Sequence, residues 1–331
     1  MTIEKISRYY HTLKYVQLKQ IFFQIFYRLR RQYRKCTGFR YPLTRASETG
    51  PLYIRDKICS EESLFIEDDK YRFTFLNLSH TFEKIEAVDW NYPDHGKLWT
   101  YNLNYFDFLN QRDLEKAQGI ALIRDFIARI AKSRDGMEPF PIALRGINWI
   151  KFLNMHAVHD REIDDSLYAQ YDILMDNLEY HLLGNHLLEN GFSLLFGGYY
   201  FRDQRLFDKA WEILIQELSE QVLPDGAHFE LTPMYHQIML YRVLDCYNLM
   251  QNNPLFDHPE LMALLREKAS RMLGWLETMR YRDGSIPHLN DSTDGIAPTS
   301  SALKAYAQRL GITTEKIVLK ESGYRKFVTD R

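Results

Sequence analysis

The sequence predicts a mostly α-helical protein, in which antiparallel helical hairpins curl into a toroid; a plain bundle is the alternative. Apolar residues recur at helical spacing over 114–132, 141–158, 164–183, 186–201, 204–221, 233–252, 258–281 and 299–310. Short connections rich in Gly, Pro, Asp or Asn separate these stretches, which favours antiparallel neighbours. Polar and aromatic residues gather at the helix ends, and no short fixed-period repeat runs through the chain, which argues against a solenoid.

The elements follow in order. Residues 1–40 form a basic amphipathic segment, read as one helix over 3–35 from Ile3, Ile6, Tyr10, Leu13, Tyr15, Val16, Ile21, Ile25 and Leu29. Its ten Lys and Arg stand against the single acid Glu4. Such a helix suits an anionic membrane surface; it also suits packing on the body of the protein with a solvated basic edge. Residues 41–95 read as an irregular lead-in with Pro42, Pro51 and Pro93 and a strand-like Arg72–Phe75. The helical domain spans 96–312 and opens on Trp99–Leu109, which packs five aromatics and two Asn into eleven residues. Ile317–Leu319 and Gly323–Val328 look like strands. Strands cannot be satisfied alone, so residues 313–331 are expected to begin a β domain, and the chain to be a truncated form.

With 331 residues and a formal charge of −2, the chain has room for a large core and no global field to recruit nucleic acid. Its 22 Tyr, 20 Phe and 5 Trp suit either a core or a sugar-stacking cleft. Three scattered cysteines, without a CxxC spacing, argue against a disulfide framework or a zinc site. No apolar run is long enough to span a bilayer, and the N-terminus lacks the pattern of a Sec signal peptide. The expected location is cytoplasmic or membrane-peripheral, with the periplasm second.

Four segments place polar groups where helical packing does not demand them. Gly184–Gly191 sets Asn185, His186, Glu189 and Asn190 within roughly 140° of helix arc amid leucines and phenylalanines. Asn185 is a candidate helix N-cap as well as a candidate ligand, and His186 a candidate core histidine. In Pro139–Trp149, Arg145 and Asn148 lie one turn apart beside Trp149, suited to a carboxylate or sulfate, or to a structural partner. In Leu223–His236, a Pro224-Asp225-Gly226 turn precedes Thr232-Pro233, a helix start. Tyr235 then falls in the first turn, where the helix dipole should lower its pKa toward that of a base; filling an interhelical gap is the plainer role. His228, Glu230 and His236 flank it, and Arg282–Ser292 adds His288 and Asp291, which fit a cleft or neighbouring helix caps.

Trp99–Leu109, Pro139–Trp149, Gly184-Asn185-His186 with Glu189-Asn190-Gly191, and Asp225-Gly226 through Pro233-Met234-Tyr235 together form a recognisable series. With Pro287–Ser292 and Ser322-Gly323-Tyr324, the chain resembles the heparinase II/III-like family of bacterial polysaccharide lyases from about residue 85 onward. The resemblance implies an incomplete (α/α) toroid followed by an antiparallel β-sandwich, with an acidic, uronate-containing polysaccharide between them. It implies β-elimination: one group quiets the uronate carboxylate, a base takes the C5 proton, and an acid protonates O4. Asn185 matches the neutraliser, with His186 beside it, and Tyr235 matches the catalytic tyrosine.

Arg145, Asn148, Trp149, Glu189, Asn190, His228, Glu230, His236, His288, Asp291 and Tyr105 are the candidate substrate contacts. No cofactor is expected in this chain, although the family's β-sandwich sometimes holds a metal and supplies a further histidine or tyrosine. The segment alone is therefore expected to turn over poorly, and its basic N-terminus resembles members associated with capsule or exopolysaccharide synthesis. Two other readings stay open: a glycoside hydrolase pairing Glu189 with Glu230 or Asp291, and a non-catalytic glycan-binding protein.

Overall fold

A computed structural model describes residues 16–327 apart from Asp56. Ten α-helices occur among these residues: α1 (Leu18–Thr37), α2 (Lys97–Tyr105), α3 (Lys116–Arg129), α4 (Pro139–Met155), α5 (Arg161–Asp176), α6 (Gly184–Phe201), α7 (Gln204–Gln221), α8 (Pro233–Asn252), α9 (Pro259–Met279) and α10 (Ser300–Arg309). Strands β1 (Leu64–Glu67), β2 (Lys70–Phe75) and β3 (Leu78–Phe82) precede α2.

Burial sorts the helices into two layers. α4 is buried without a break from Pro141 to Leu153, and α6 from Leu187 to Phe201. A helix apolar on all sides must be covered on all sides. By contrast α3, α5, α7 and α9 bury one face each. The contacts follow the same division: α2, α4, α6, α8 and α10 pack in a row, while α5 packs against α4 and α6, α7 against α6, and α9 against α8 and α10. Among the described residues no extensive contact carries α10 back to α2, so the row is open. This is the predicted mostly α-helical array of antiparallel hairpins. Gly198 lets the α6–α7 hairpin close, because a Cβ there would lie 2.9 Å from the Phe207 backbone nitrogen.

The lead-in is more regular than its sequence suggested. β1, β2 and β3 form an antiparallel meander whose two-residue turns, Asp68-Asp69 and Leu76-Asn77, all have positive φ. Its inner face buries Phe73, Phe75 and Phe82, with Phe75 edge-on to Trp99 of α2. The expected strands at 317–319 and 323–328 are absent among the described residues; Val328 lies outside them. That segment is held by side chains instead. The Asp225 carboxylate accepts from the backbone of Lys320 and Ser322 and from Ser322 Oγ, and the Tyr324 hydroxyl donates to Leu231 O.

Residues 3–15 of the expected first helix also lie outside the described residues, and the helix proper begins at Leu18. It packs across the α5–α6 connection. Phe23 stacks on Tyr180 at 4.7 Å, Tyr27 donates to Leu178 O at 2.5 Å, and Arg30 pairs with Asp176 at 2.8 Å. No helix among the described residues is long and apolar enough to cross a membrane.

Candidate active site

The site is built on the first turn of α6. Leu183 and Gly184 both have φ near +60°, so the chain reverses sharply and enters the helix with Leu183, not Asn185, at the N-cap. The capping role for Asn185 is thereby removed. Its half-buried side-chain amide makes no hydrogen bond among the described residues and stays available as a donor. His186 is fixed. Its Nδ1 lies 3.1 Å from Glu179 Oε1, and its ring lies 4.6 Å from Phe140 at the start of α4.

Glu179 is itself locked by Asn190, one turn further along α6. The Asn190 Nδ2 donates to Glu179 Oε2 at 3.0 Å, and the Glu179 N–H donates to Asn190 Oδ1 at 2.9 Å. Burial opposes charge on the imidazole, but the Glu179 hydrogen bond and the charges of Glu179 and Glu230 overcome it, so the His186 pKa is raised. Glu179→Gln should therefore lower the His186 titration midpoint, which NMR of the imidazole reads directly. An unchanged midpoint would remove Glu179 as the cause. The sign also fixes a stability term. Protonated His186 stabilises the fold fully below its unfolded pKa, and the gain fades as pH rises through the raised folded value.

Glu230 ties this helix end to α8. A Cβ at Gly184 would lie 3.9 Å from its Oε1, the Asn185 N–H donates toward its carboxylate, and His186 stabilises its charge. Burial, aided by Asp291, nevertheless raises the Glu230 pKa. α8 starts as predicted, with Thr232 at the N-cap and Pro233 at N1, which puts Tyr235 in its first turn. The expected lowering of the Tyr235 pKa is overturned. Burial raises it, and the charges of Glu230 and Asp291 add to that, outweighing the helix dipole. Tyr235 rests as a neutral phenol. Asp291 is brought here by its loop, in which Ser292 Oγ accepts the Met234 N–H at 3.2 Å and Asn290 donates to Leu231 O at 2.8 Å.

Tyr101, Tyr105 and Phe140 form an aromatic row that reaches His186, with Tyr105 6.2 Å from Tyr101 and 5.9 Å from Phe140 between ring centroids. The Tyr101 hydroxyl donates to Glu138. Glu179, Phe140, Tyr101 and Glu138 were not singled out from sequence; the i,i+4 spacing of Tyr101 and Tyr105 was the one available signal.

Other predicted contacts lie elsewhere. Arg145 is wholly buried and donates to Gln170 Oε1, Asn104 O and Gly136 O, so it holds α2, α4 and α5 together and meets no ligand. Desolvation lowers its pKa to about 9. Asn148 donates to Tyr105 O and Asp107, and Trp149 packs edge-on to Phe106 and Phe126 in the core. Glu189 pairs with Arg242 at 3.2 Å, both buried. His236 accepts the His228 N–H and contacts Met272 O through Nε2, while His228 contacts Gln221; burial lowers their pKa values to about 4 and about 3, so both are neutral core histidines. His288 is exposed and pairs with Asp294 of its own loop. Arg145, Asn148, Glu189 and His236, all on inner helices, have their partners inside the protein.

The family model described as Heparinase II/III N-terminus matches residues 146–316, just over half of the chain. The chain belongs to this family. The heparinase II/III match takes in Asn185, His186, Glu230, Tyr235 and Asp291 together. Among solved structures, the chain is similar to heparan sulfate lyase HepC from Pedobacter heparinus at 17% identity, over 73% of this chain and 44% of that one, with a TM-score of 0.48. It is also similar to a structure of Heparinase III at 16% identity, over 68% and 38% respectively, with a TM-score of 0.49. The chain thus spans less than half the length of either. No curated protein matches it.

No group of three or more His, Cys, Asp or Glu able to hold a metal occurs among the described residues. A cavity of about 580 Å³ opens at the opposite end of α6, between Arg45, Tyr168 and Arg205. Its Arg45 and Arg205 are paired with Asp172 and Asp203, which leaves the α6 N-terminus as the better site for chemistry.

Proposed function

We propose that the chain is the helical part of a lyase that cleaves a uronate-containing polysaccharide by β-elimination. The observation that supports this best is the gathering of three groups around Glu230: the free Asn185 amide, an imidazole biased toward its charged form, and the Tyr235 phenol.

A uronate C5 proton is very weakly acidic while the adjacent carboxylate carries full charge. Asn185 and His186 are donors placed to hold that carboxylate as negative charge spreads onto it, and one such donor is worth about 3–4 kcal/mol. The C5–H bond then breaks, its electrons form the C4–C5 double bond, and the C4–O4 bond breaks. Tyr235 takes the C5 proton as phenolate and delivers a proton to O4 as phenol. Because it rests protonated, it must first give its own proton away, and Glu230, a neighbouring carboxylate of raised pKa, is suited to take it. Tyr101 and Phe140, half-buried on either side of the buried Tyr105, are the aromatic rings a sugar could meet.

One observation favours a second reading. Burial and, to a lesser extent, the charge of Asp291 raise the Glu230 pKa, which would suit the general acid of a glycoside hydrolase. Glu189 takes no part in this, being buried against Arg242. The products decide. Incubation with a panel of uronate-containing polysaccharides should generate ultraviolet absorbance from an unsaturated uronate. New reducing ends without absorbance would indicate hydrolysis, and binding with neither would indicate a glycan-binding protein.

A further inference from the structure

The face of α1 turned away from the body is apolar. Leu18, Phe22, Ile25, Phe26, Leu29 and Tyr33 are 85, 62, 52, 42, 66 and 69% exposed, and none of the helix's residues is buried. At 100° per residue they fall within roughly 100° of arc, along roughly 22 Å of helix. The opposite side is already committed: Phe23, Tyr27, Arg30 and Arg34 pack on Tyr180, Leu178 and Asp176. Packing on the body thus accounts for one face of this helix and leaves a second, continuous one.

The charge beside the stripe selects what can cover it. α1 carries no acidic residue. Arg28, Arg31 and Lys35 are exposed and form no ion pair among the described residues. A second copy laid face to face would bring these cations against their equivalents, which disfavours self-association. We propose that the α1 stripe docks on an anionic lipid surface, with the aromatic and aliphatic side chains entering the interface. Arg28 and Lys35, toward one margin, meet the headgroups, and Arg31, on the far side of the helix, adds to the attraction over a longer distance. Docking would hold the candidate site near the membrane, since α1 is anchored on the very connection (Asn177–Leu183) that carries Glu179.

Flotation of the full chain with vesicles tests this. It should float with phosphatidylcholine vesicles containing phosphatidylglycerol, less as salt rises, and not with phosphatidylcholine alone. Arg28→Gln/Arg31→Gln/Lys35→Gln should weaken partitioning by up to about a hundredfold, at most about fivefold for each cation. Phe22→Ser/Ile25→Ser/Leu29→Ser should abolish flotation with an unchanged melting temperature. Undiminished flotation of either variant would overturn the proposal. A clear drop in melting temperature of the serine variant would also overturn it, because the stripe would then be covered by the chain itself. So would a wild-type dimer that the serine variant turns into a monomer.

Discussion

Tyr235→Phe is expected to lower elimination by roughly 10²–10⁴-fold, the range for losing a positioned proton-transfer group, while leaving the fold as stable as before. The stability half of the expectation follows from the structure. The Tyr235 hydroxyl has no hydrogen-bond partner among the described residues, in contrast to Tyr171 and Tyr306, whose hydroxyls bond Ser193 and Asp245. Removing it strands no buried donor. The activity half follows from its neighbours: Glu230 and Asp291 keep the phenol protonated, so phenylalanine removes a proton as well as an oxygen. The loss should fall on kcat with KM little changed, because the phenol reacts and does not anchor the sugar. Turnover within about threefold of wild type would remove Tyr235 as the proton carrier and favour the Glu230–Asp291 pair. Asn185→Ala gives a control of different kind, with a loss of about 10²–10³-fold and no change in how Tyr235 titrates.

How much of this was legible in the sequence depended on whether the deciding interaction was local. The bounds of α7 and α8 could be read directly, since Asp203 caps one and Thr232-Pro233 opens the other. The β meander was not legible, because its turns are Asp-Asp and Leu-Asn at positive φ without a glycine to announce them. The strands expected after residue 316 had suitable composition, but their backbone is held by Asp225, some ninety-five residues earlier. At the candidate site, the pattern of polar residues on apolar helices did not separate half-buried groups from core ones. Asn185 and Asn190 share one helix face; one is free and the other locks Glu179, a difference set by the connection before α6. Arg145 and His236 are buried for the same reason, since an inner helix is covered on every side, and His228 is buried with them in the connection before α8. The error over Tyr235 was one of magnitude, a helix dipole set against burial and two carboxylates.

Those satisfied inner-layer groups carry the second large effect. Lys151 of α4 is buried against Asp245 of α8 and lies 3.2 Å from the Tyr241 hydroxyl. Asp245 also accepts from Tyr306 of α10 at 2.9 Å, and one turn away Arg242 faces Glu189 of α6. The network spans four inner helices. Burial alone would drive the Lys151 pKa down, yet the charge of Asp245 raises it, so the ammonium stays charged in the buried interior. Lys151→Met should therefore destabilise the fold by about 3–5 kcal/mol, because it leaves the Asp245 carboxylate buried without its cation. Adding Asp245→Asn should restore most of that loss, since the amide oxygen still accepts from Tyr306 while the charge is gone. Urea unfolding of both variants measures the difference. If the single variant loses less than about 1 kcal/mol, water reaches the network and the inner layer is not sealed. The His186 titration is the independent readout. Its midpoint is raised chiefly through Glu179, which does not touch Lys151 or Asp245; Glu230 and, from the network itself, Glu189 add less, so it should move little while stability falls. A midpoint that moves with Lys151→Met would mean that the inner ion pairs and the α6 cleft form one electrostatic unit.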